Sequence, residues 1–403
     1  MALLSSGTVS EPASPSAAST ARHRALDLVR GVVMVVMVLD HARDFYFGMR
    51  VDPTNLGETW PFLFFTRWIT HYCAPGFVML AGASAYLYGR KRTAAERRKF
   101  LVTRGLWLVF LELTVVHFGW DPEPAYSFVL LQVIWAIGWS MVLLAPISSL
   151  SPRVLAGLGA AMVLAHGLLD GVHFDADGTQ RFLWAVVHEQ REFSPREGTL
   201  LIVAYPLVPW VGVMALGFGL GELYAGDAAI RRRTLARLGL AAIAAFVVVR
   251  GLDGYGDPAP WSVQPSVTYT LMSFLNCTKY PPSLDYLLMT LGPILLLLAA
   301  LERWELPTAI GRALETFGRV PLFFYVVHLY LLSIPAATAA YQRWGPETAF
   351  AGPPEGHRGC PEWPLGAVYL VWASAIAILY APSAWFARLK ERRAKDWWWL
   401  SYL

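Results

Sequence analysis

Ten runs of apolar positions reach membrane length, at about 25–39, 62–88, 101–118, 128–147, 152–170, 199–223, 235–250, 284–301, 319–336 and 365–386. Several are shorter than about 20 strongly apolar residues, and the first and seventh carry an Arg at one end. Ahead of them, residues 1–21 are rich in Ser, Ala, Thr and Pro and hold too little apolar surface to offset the entropy of ordering, which predicts a disordered tail. The tail lacks the apolar core of a cleavable signal, so the first run, behind Arg22 and Arg24, is expected to stay as a membrane helix. No fixed-period repeat or second soluble domain interrupts the rest. The pattern predicts an all-α, polytopic transmembrane helix bundle of about ten spans, with residues 22–403 forming one domain.

Charge supports that count. Sorting the 33 Lys and Arg residues by alternate connections puts about 23 on the side of the N-terminus and about 10 on the other, the bias of the positive-inside rule. Both termini are then cytoplasmic, with basic runs at 90–99, 231–233 and 388–395, while long connections at 171–198, 251–283 and 337–364 face outward. Connections of that length in a bundle usually serve function or act as lids. At 56% hydrophobic and 15% charged residues, against about 25% charged in soluble domains, the composition excludes a soluble globular protein. The net charge of +4 follows from topology, and no nucleic acid partner is expected.

Cys73, Cys277 and Cys360 include no CxxC pair and no metal-ligand spacing, so no metal site is expected from them; Cys277 and Cys360 both fall on the outer side, where a disulfide is left open. No phosphate-binding GxxxxGK[ST] loop, dinucleotide GxGxxG or zincin HExxH is present, and no permanently bound cofactor is expected. The many Trp and Tyr residues, including those of the terminal WWWLSYL, are expected mainly in interfacial belts.

Ionisable residues inside spans are costly and mark sites more often than they do in soluble helices. In RALDLVRGVVMVVMVLDHARD, Asp27 and Arg30 are three residues apart and can pair on one helical face. His41 follows eleven residues later, about 16 Å along a helix axis, with Asp40 beside it and Asp44 near. An imidazole among carboxylates suits general-base work on a hydroxyl or amine, though the same residues can be interfacial polar groups at a helix end. In the second run, Pro75 frees the backbone carbonyl of His71, a break tolerated where a helix lines a cavity. Gly82 and Ser84 are expected to pack closely, Cys73 to be a small buried residue, and Glu112 to join helices. His117, His166 and His173 are isolated, whereas His328 is the histidine deepest in a span. A proton-coupled transporter of a small solute or lipid-linked sugar could be built from these groups, as could a scaffold without chemistry.

The blocks RALDLVRGVVMVVMVLDH, ITHYCAPGFVMLAG, LLQVIWAIGWSM, YPLVPWVGVMALGFGLGE, LNCTKYPPSLDYLLMTLGP and FGRVPLFFYVVHLYLL carry a resemblance from about Arg24 to the C-terminus. They resemble successive blocks of bacterial membrane proteins related to the heparan-α-glucosaminide N-acetyltransferase catalytic domain, a group that includes a bacterial domain of unknown function. The wider group is similar to the acyltransferase family 3 proteins, whose first helix carries an Arg, ten residues and a His, the spacing of Arg30 and His41. The resemblance implies transfer of an acetyl group from cytoplasmic acetyl-CoA, a cosubstrate, to a hydroxyl or amine of a glycan on the outer face of a bacterial cytoplasmic membrane.

The heparan-type enzymes are associated with an Asn at the end of the first helix and a catalytic His in the following loop. Here His41 stands at the Asn position and no His occurs between His41 and His71, so the base is placed on His41. The implied roles are then His41 as base or transient acyl carrier, Asp40 or Asp44 to orient it, and His71 as helper. Arg30 would hold a CoA phosphate or anchor the first helix through Asp27, and Arg67, Lys279, Tyr280 and His328 would line the donor or acceptor path. Partners are acetyl-CoA, a glycan or other extracytoplasmic acceptor and the bilayer; a homo-oligomer is left open.

Overall fold

A computed structural model describes residues 16–48, 51–121, 126–174, 178–304, 306–345, 360–393, 396–397 and 400, with side chains from Arg24 onward. The molecule is 73% helix. Helix α1 spans Ser16–Tyr46, starting ahead of its apolar run because Ala17, Ala18 and Ala21 favour helix. The expected disordered tail over residues 1–15 lies outside the described residues, and 16–21 are helical rather than tail.

The second apolar run is two helices, α2 (Pro61–Thr70) and α3 (Cys73–Gly89). Helix α4 (Ala94–Leu111) starts at a capping box of Thr93 and Glu96 and continues through a π-helical turn, Glu112–Val116, into α5 (His117–Trp120). Strand β1 (Phe128–Leu131) precedes α6 (Val133–Ile147) and α7 (Pro152–Ala165), the last prolonged by a 3-10 turn, His166–Leu169. Helix α8 (Thr179–Val187), β2 (Arg191–Phe193), β3 (Leu200–Val203) and α9 (Leu207–Leu223) follow. The chain then forms α10 (Ala228–Leu252), α11 (Val267–Leu275), α12 (Leu284–Leu301), α13 (Thr308–Arg319), α14 (Pro321–Trp344) and α15 (Leu365–Arg393).

Among the described residues, six segments are long and apolar enough to cross a membrane: Ala94–Trp120, Pro152–Leu169, Ala228–Leu252, Leu284–Leu301, Pro321–Trp344 and Leu365–Arg393. The other four expected spans differ for visible reasons. Helix α1 carries too many charges along its apolar run (Asp27, Arg30, Asp40, Arg43 and Asp44), the second run is broken after Thr70, and α6 and α9 are apolar but have only 15 and 17 residues.

The molecule is mostly helical, as expected, and adds a small three-stranded sheet of order β1-β3-β2, in which β1 runs parallel and β2 antiparallel to β3. β1 and β3 begin the fourth and sixth apolar runs. Hydropathy cannot separate a four-residue strand from the helix that follows it, and the pairing partner is some 70 residues away.

Glycines set the helix crossings. Gly82 of α3 packs on the carbonyl of Met214 in α9, and Gly217 of α9 on that of Met79 in α3. Similar close pairs are Gly105 with Gly138, Gly159 with Gly212, and Gly239 with Gly292. A Cβ at Gly217 would collide with the Met79 carbonyl, whereas one at Gly157 meets nothing within 4 Å. Gly217→Ala is therefore expected to destabilise by about 1–3 kcal/mol through overpacking, and Gly157→Ala to stabilise by about 0.5–1 kcal/mol. Opposite shifts in the thermal midpoint of detergent-solubilised protein check both.

Candidate active site

Helix α1 joins two polar clusters. At one end Arg30 donates through Nη1 to Asp27 Oδ1 (2.7 Å) and the Gly318 carbonyl (2.7 Å), and through Nη2 to Ser84 Oγ (3.0 Å). The guanidinium thus ties α1 to α3 and to the end of α13, and Ser84 is a hydrogen-bond acceptor as well as a packing residue. Two openings flank Asp27. One of about 230 Å³ is lined by Arg319, Val320, Ala387, Lys390 and Glu391, and one of about 280 Å³ by Leu26, Arg30, Ser84 and Leu87.

His41 lies eleven residues further along α1, where Tyr46 fastens the helix to α14 by donating to the Leu332 carbonyl (3.1 Å). This brings His41 Nδ1 to 2.6 Å from Nε2 of the fully buried His328, with the rings stacked at 18°. The Trp120 ring meets His41 edge-on at 4.8 Å. His328 Nδ1 lies 3.2 Å from the Phe324 carbonyl, which can only accept. For neutral rings, that contact places the His328 proton on Nδ1 and leaves Nε2 as acceptor, so His41 Nδ1 donates. The lone pair of His41 is then on Nε2, which has no hydrogen bond among the described residues.

Neither Asp40 nor Asp44 hydrogen-bonds His41 among the described residues. Adjacent helix positions diverge by about 100°, and Asp40 turns to Arg67, accepting from Nη1 at 2.8 Å on each oxygen, to Thr70 Oγ1 (2.8 Å) and to Arg43 (3.0 Å). Asp44 pairs with Arg43 at 2.5 Å. Arg67 is likewise held by Asp40.

His71 joins this group rather than His41. Its carbonyl, left without a helical donor by Pro75, accepts from the Tyr286 hydroxyl at 2.7 Å, and its Nδ1 is buried without a partner among the described residues. Arg67 and Lys279 are both within electrostatic reach of its ring. Lys279 sits 5.0 Å from the Tyr280 ring, and Tyr280 packs edge-on against Tyr205 at 5.4 Å. Burial would raise the Tyr280 phenol, but the cations of Lys279 and Arg67 outweigh it and hold the group below its ordinary value.

The loop bearing Lys279 and Tyr280 is fixed by residues the sequence did not single out. Asp257 accepts from Thr278 N (2.7 Å), Thr278 Oγ1 (2.8 Å) and Ser283 Oγ (2.5 Å). Arg250, 1% exposed, donates to the carbonyls of Ala259, Ser273, Phe274 and Asn276. Arg43 was also missed, although its place three residues after Asp40 could have revealed it. Tyr205 and Tyr286 carried no signal separating them from belt aromatics. All three cysteines are buried and no disulfide joins them among the described residues, so Cys277 and Cys360 are not bridged; Cys360 lies against Gly48 and accepts from Glu362 N instead. Glu112 joins helices as expected, accepting from Trp135 N at the start of α6 (3.0 Å).

The arrangement can abstract a proton at His41 Nε2 and can hold anionic or polar ligand groups near Lys279, beside a firmly paired Asp40. No curated protein sequence matches the chain significantly. The family model for the catalytic region of heparan-alpha-glucosaminide N-acetyltransferase matches residues 22–253, which include Arg30, His41, Arg67 and His71 and end before Lys279, Tyr280 and His328. Together with the six apolar helices, the match identifies an integral membrane protein. Because it covers more than half of the sequence, from within α1 to the end of α10, this chain belongs to the heparan-alpha-glucosaminide N-acetyltransferase catalytic-domain family.

Proposed function

We propose that the protein is an acetyltransferase of a bacterial cytoplasmic membrane, with ten spans and both termini in the cytoplasm, that moves acetyl from cytoplasmic acetyl-CoA to a hydroxyl or amine of a glycan on the outer face. Family membership supports acetyl transfer in general. The observation that carries the assignment to His41 is its hydrogen bond to His328, which leaves the lone pair of Nε2 without a hydrogen bond among the described residues. That nitrogen accepts the proton of the acceptor group as its oxygen or nitrogen attacks the thioester carbonyl, the C–S bond breaks, and CoA leaves as thiolate, to be protonated by the imidazolium or water. Lys279, with His71 close by, faces the developing oxyanion.

Arg30 acts as anchor, because its hydrogen bonds are to protein groups on three helices. The CoA phosphates are then met by Lys390 and by Arg319, which line the neighbouring opening, Arg319 exchanging its exposed ion pair with Glu391 (2.7 Å) for a phosphate. Purified protein in detergent, supplied with radiolabelled acetyl-CoA and glycan acceptors, is expected to transfer label. In the double variant Arg319→Ala/Lys390→Ala the KM for acetyl-CoA is expected to rise about tenfold or more, since one charged hydrogen bond is worth about 1.5–3 kcal/mol, with kcat little changed. Folded wild-type protein that neither binds CoA nor turns it over with any such acceptor would refute the reading.

A further inference from the structure

A second cluster of imidazoles lies apart from His41. His166, in the 3-10 turn after α7, Asp170 four residues on, and His188, directly after α8, place one potential ligand atom each within 4.8 Å of one another. His166 is 3% and His188 2% exposed. Neither ring nitrogen of His166, nor Nδ1 of His188, has a hydrogen-bond partner among the described residues, and His188 Nε2 lies 2.9 Å from Asp170 Oδ1. A buried polar atom without a partner costs about 1–3 kcal/mol. His166 carries two, which is hard to reconcile with a merely structural histidine.

We propose that His166, Asp170 and His188 bind a divalent transition-metal ion, with Zn²⁺ the best match to two imidazoles and one carboxylate. Tetrahedral Zn²⁺ with bonds of about 2.0–2.1 Å needs ligand atoms roughly 3.3 Å apart. Side-chain rotations of about 1 Å would close the present spread to that distance. Binding replaces the His188–Asp170 hydrogen bond with two metal bonds and gives an otherwise unpaired His166 nitrogen a partner. The Asp170 side chain is 33% exposed, which opens a path for the ion and leaves room for water at a fourth position.

The location gives the ion a purpose. Gly159 packs on Gly212 and Ala156 on Gly219, so α7 and α9 run antiparallel and His166 is level with the start of α9. Tyr205, just before that start, packs on Tyr280. The ion would therefore clamp the segment that carries β2 and β3 to the end of α7, beside the residues that deliver Tyr205. This inference does not depend on the acetyltransferase reading.

Full-length protein in detergent, stripped with chelator, loaded with Zn²⁺ and dialysed against metal-free buffer, is expected to retain about one zinc per chain by mass spectrometry. Retention should fall at least tenfold in His166→Ala and in His188→Ala. It should be unchanged in His173→Ala, whose imidazole pairs with Glu189 at 3.1 Å. If the alanine variants do not fold, wild-type protein decides alone: stoichiometric Co²⁺ should produce the visible absorption of a tetrahedral site with nitrogen ligands, and Zn²⁺ should raise the thermal midpoint. Wild type that retains no zinc and gives no such spectrum, or a folded His166→Ala/His188→Ala double variant that retains as much as wild type, would overturn the proposal.

Discussion

His41→Ala is expected to lower acetyl transfer by about 10²–10⁴-fold, the usual contribution of a positioned general base, in protein that elutes and melts like wild type. The loss follows from which nitrogen is left to accept a proton. His328 Nδ1 is engaged by the Phe324 carbonyl and its Nε2 by His41 Nδ1, so the two rings fix each other's tautomers. His328 is then a positioning residue, and its substitution separates this role from packing. His328→Gln offers a side-chain carbonyl that can accept from His41 Nδ1 and is expected to keep much more activity than His328→Ala, although both lose the same ring. Labelled transfer from acetyl-CoA under saturating acceptor, with KM and kcat resolved, checks the pair. A loss confined to kcat is expected for His41→Ala, because the base acts in the transition state. Full activity in folded His41→Ala would remove the base from this residue.

Asp40→Asn tells the same story from the other side. Its carboxylate faces Arg67, Arg43 and Thr70, so the substitution disturbs two cations before it touches the imidazole. The sequence placed Asp40 beside His41 and invited a hydrogen-bonded dyad. Helical geometry sends adjacent side chains in different directions, and the partner arrives from α14, 287 residues away. By contrast, the Arg30–His41 spacing and the break at His71 were legible, because each follows from local rules: rise per residue in one case, the missing proline N–H in the other. The Tyr286 hydroxyl that fills the His71 carbonyl was not legible, nor was the β1–β3 pairing, since both depend on where distant segments meet. Arg250 lay in plain view as an Arg at the end of an apolar run. Its task appears only when the four carbonyls around it are seen.

Arg250→Met is expected to cost about 3–5 kcal/mol of stability, the range found when one partner of a buried ionic group is removed. The guanidinium is 1% exposed and supplies hydrogen bonds to four backbone carbonyls between Ala259 and Asn276, with Asp257 and Asp285 at 3.9 and 4.0 Å. Methionine fills much of the volume but donates nothing, so the carbonyls lose their donor and the two carboxylates their counter-charge. Arg250→Lys keeps the charge without the planar fork, which cannot reach carbonyls in several directions at once, and is expected to recover only part of the loss. Thermal unfolding in detergent orders the three proteins, and proteolysis within residues 251–283 locates the damage. Asp257 binds Thr278 and Ser283 on either side of Lys279 and Tyr280, so a loosened Asp257 should also weaken handling of the acyl acceptor before the bundle melts. A melting midpoint for Arg250→Met equal to wild type would mean that this loop is held by other contacts and that Lys279 and Tyr280 are not positioned through Arg250.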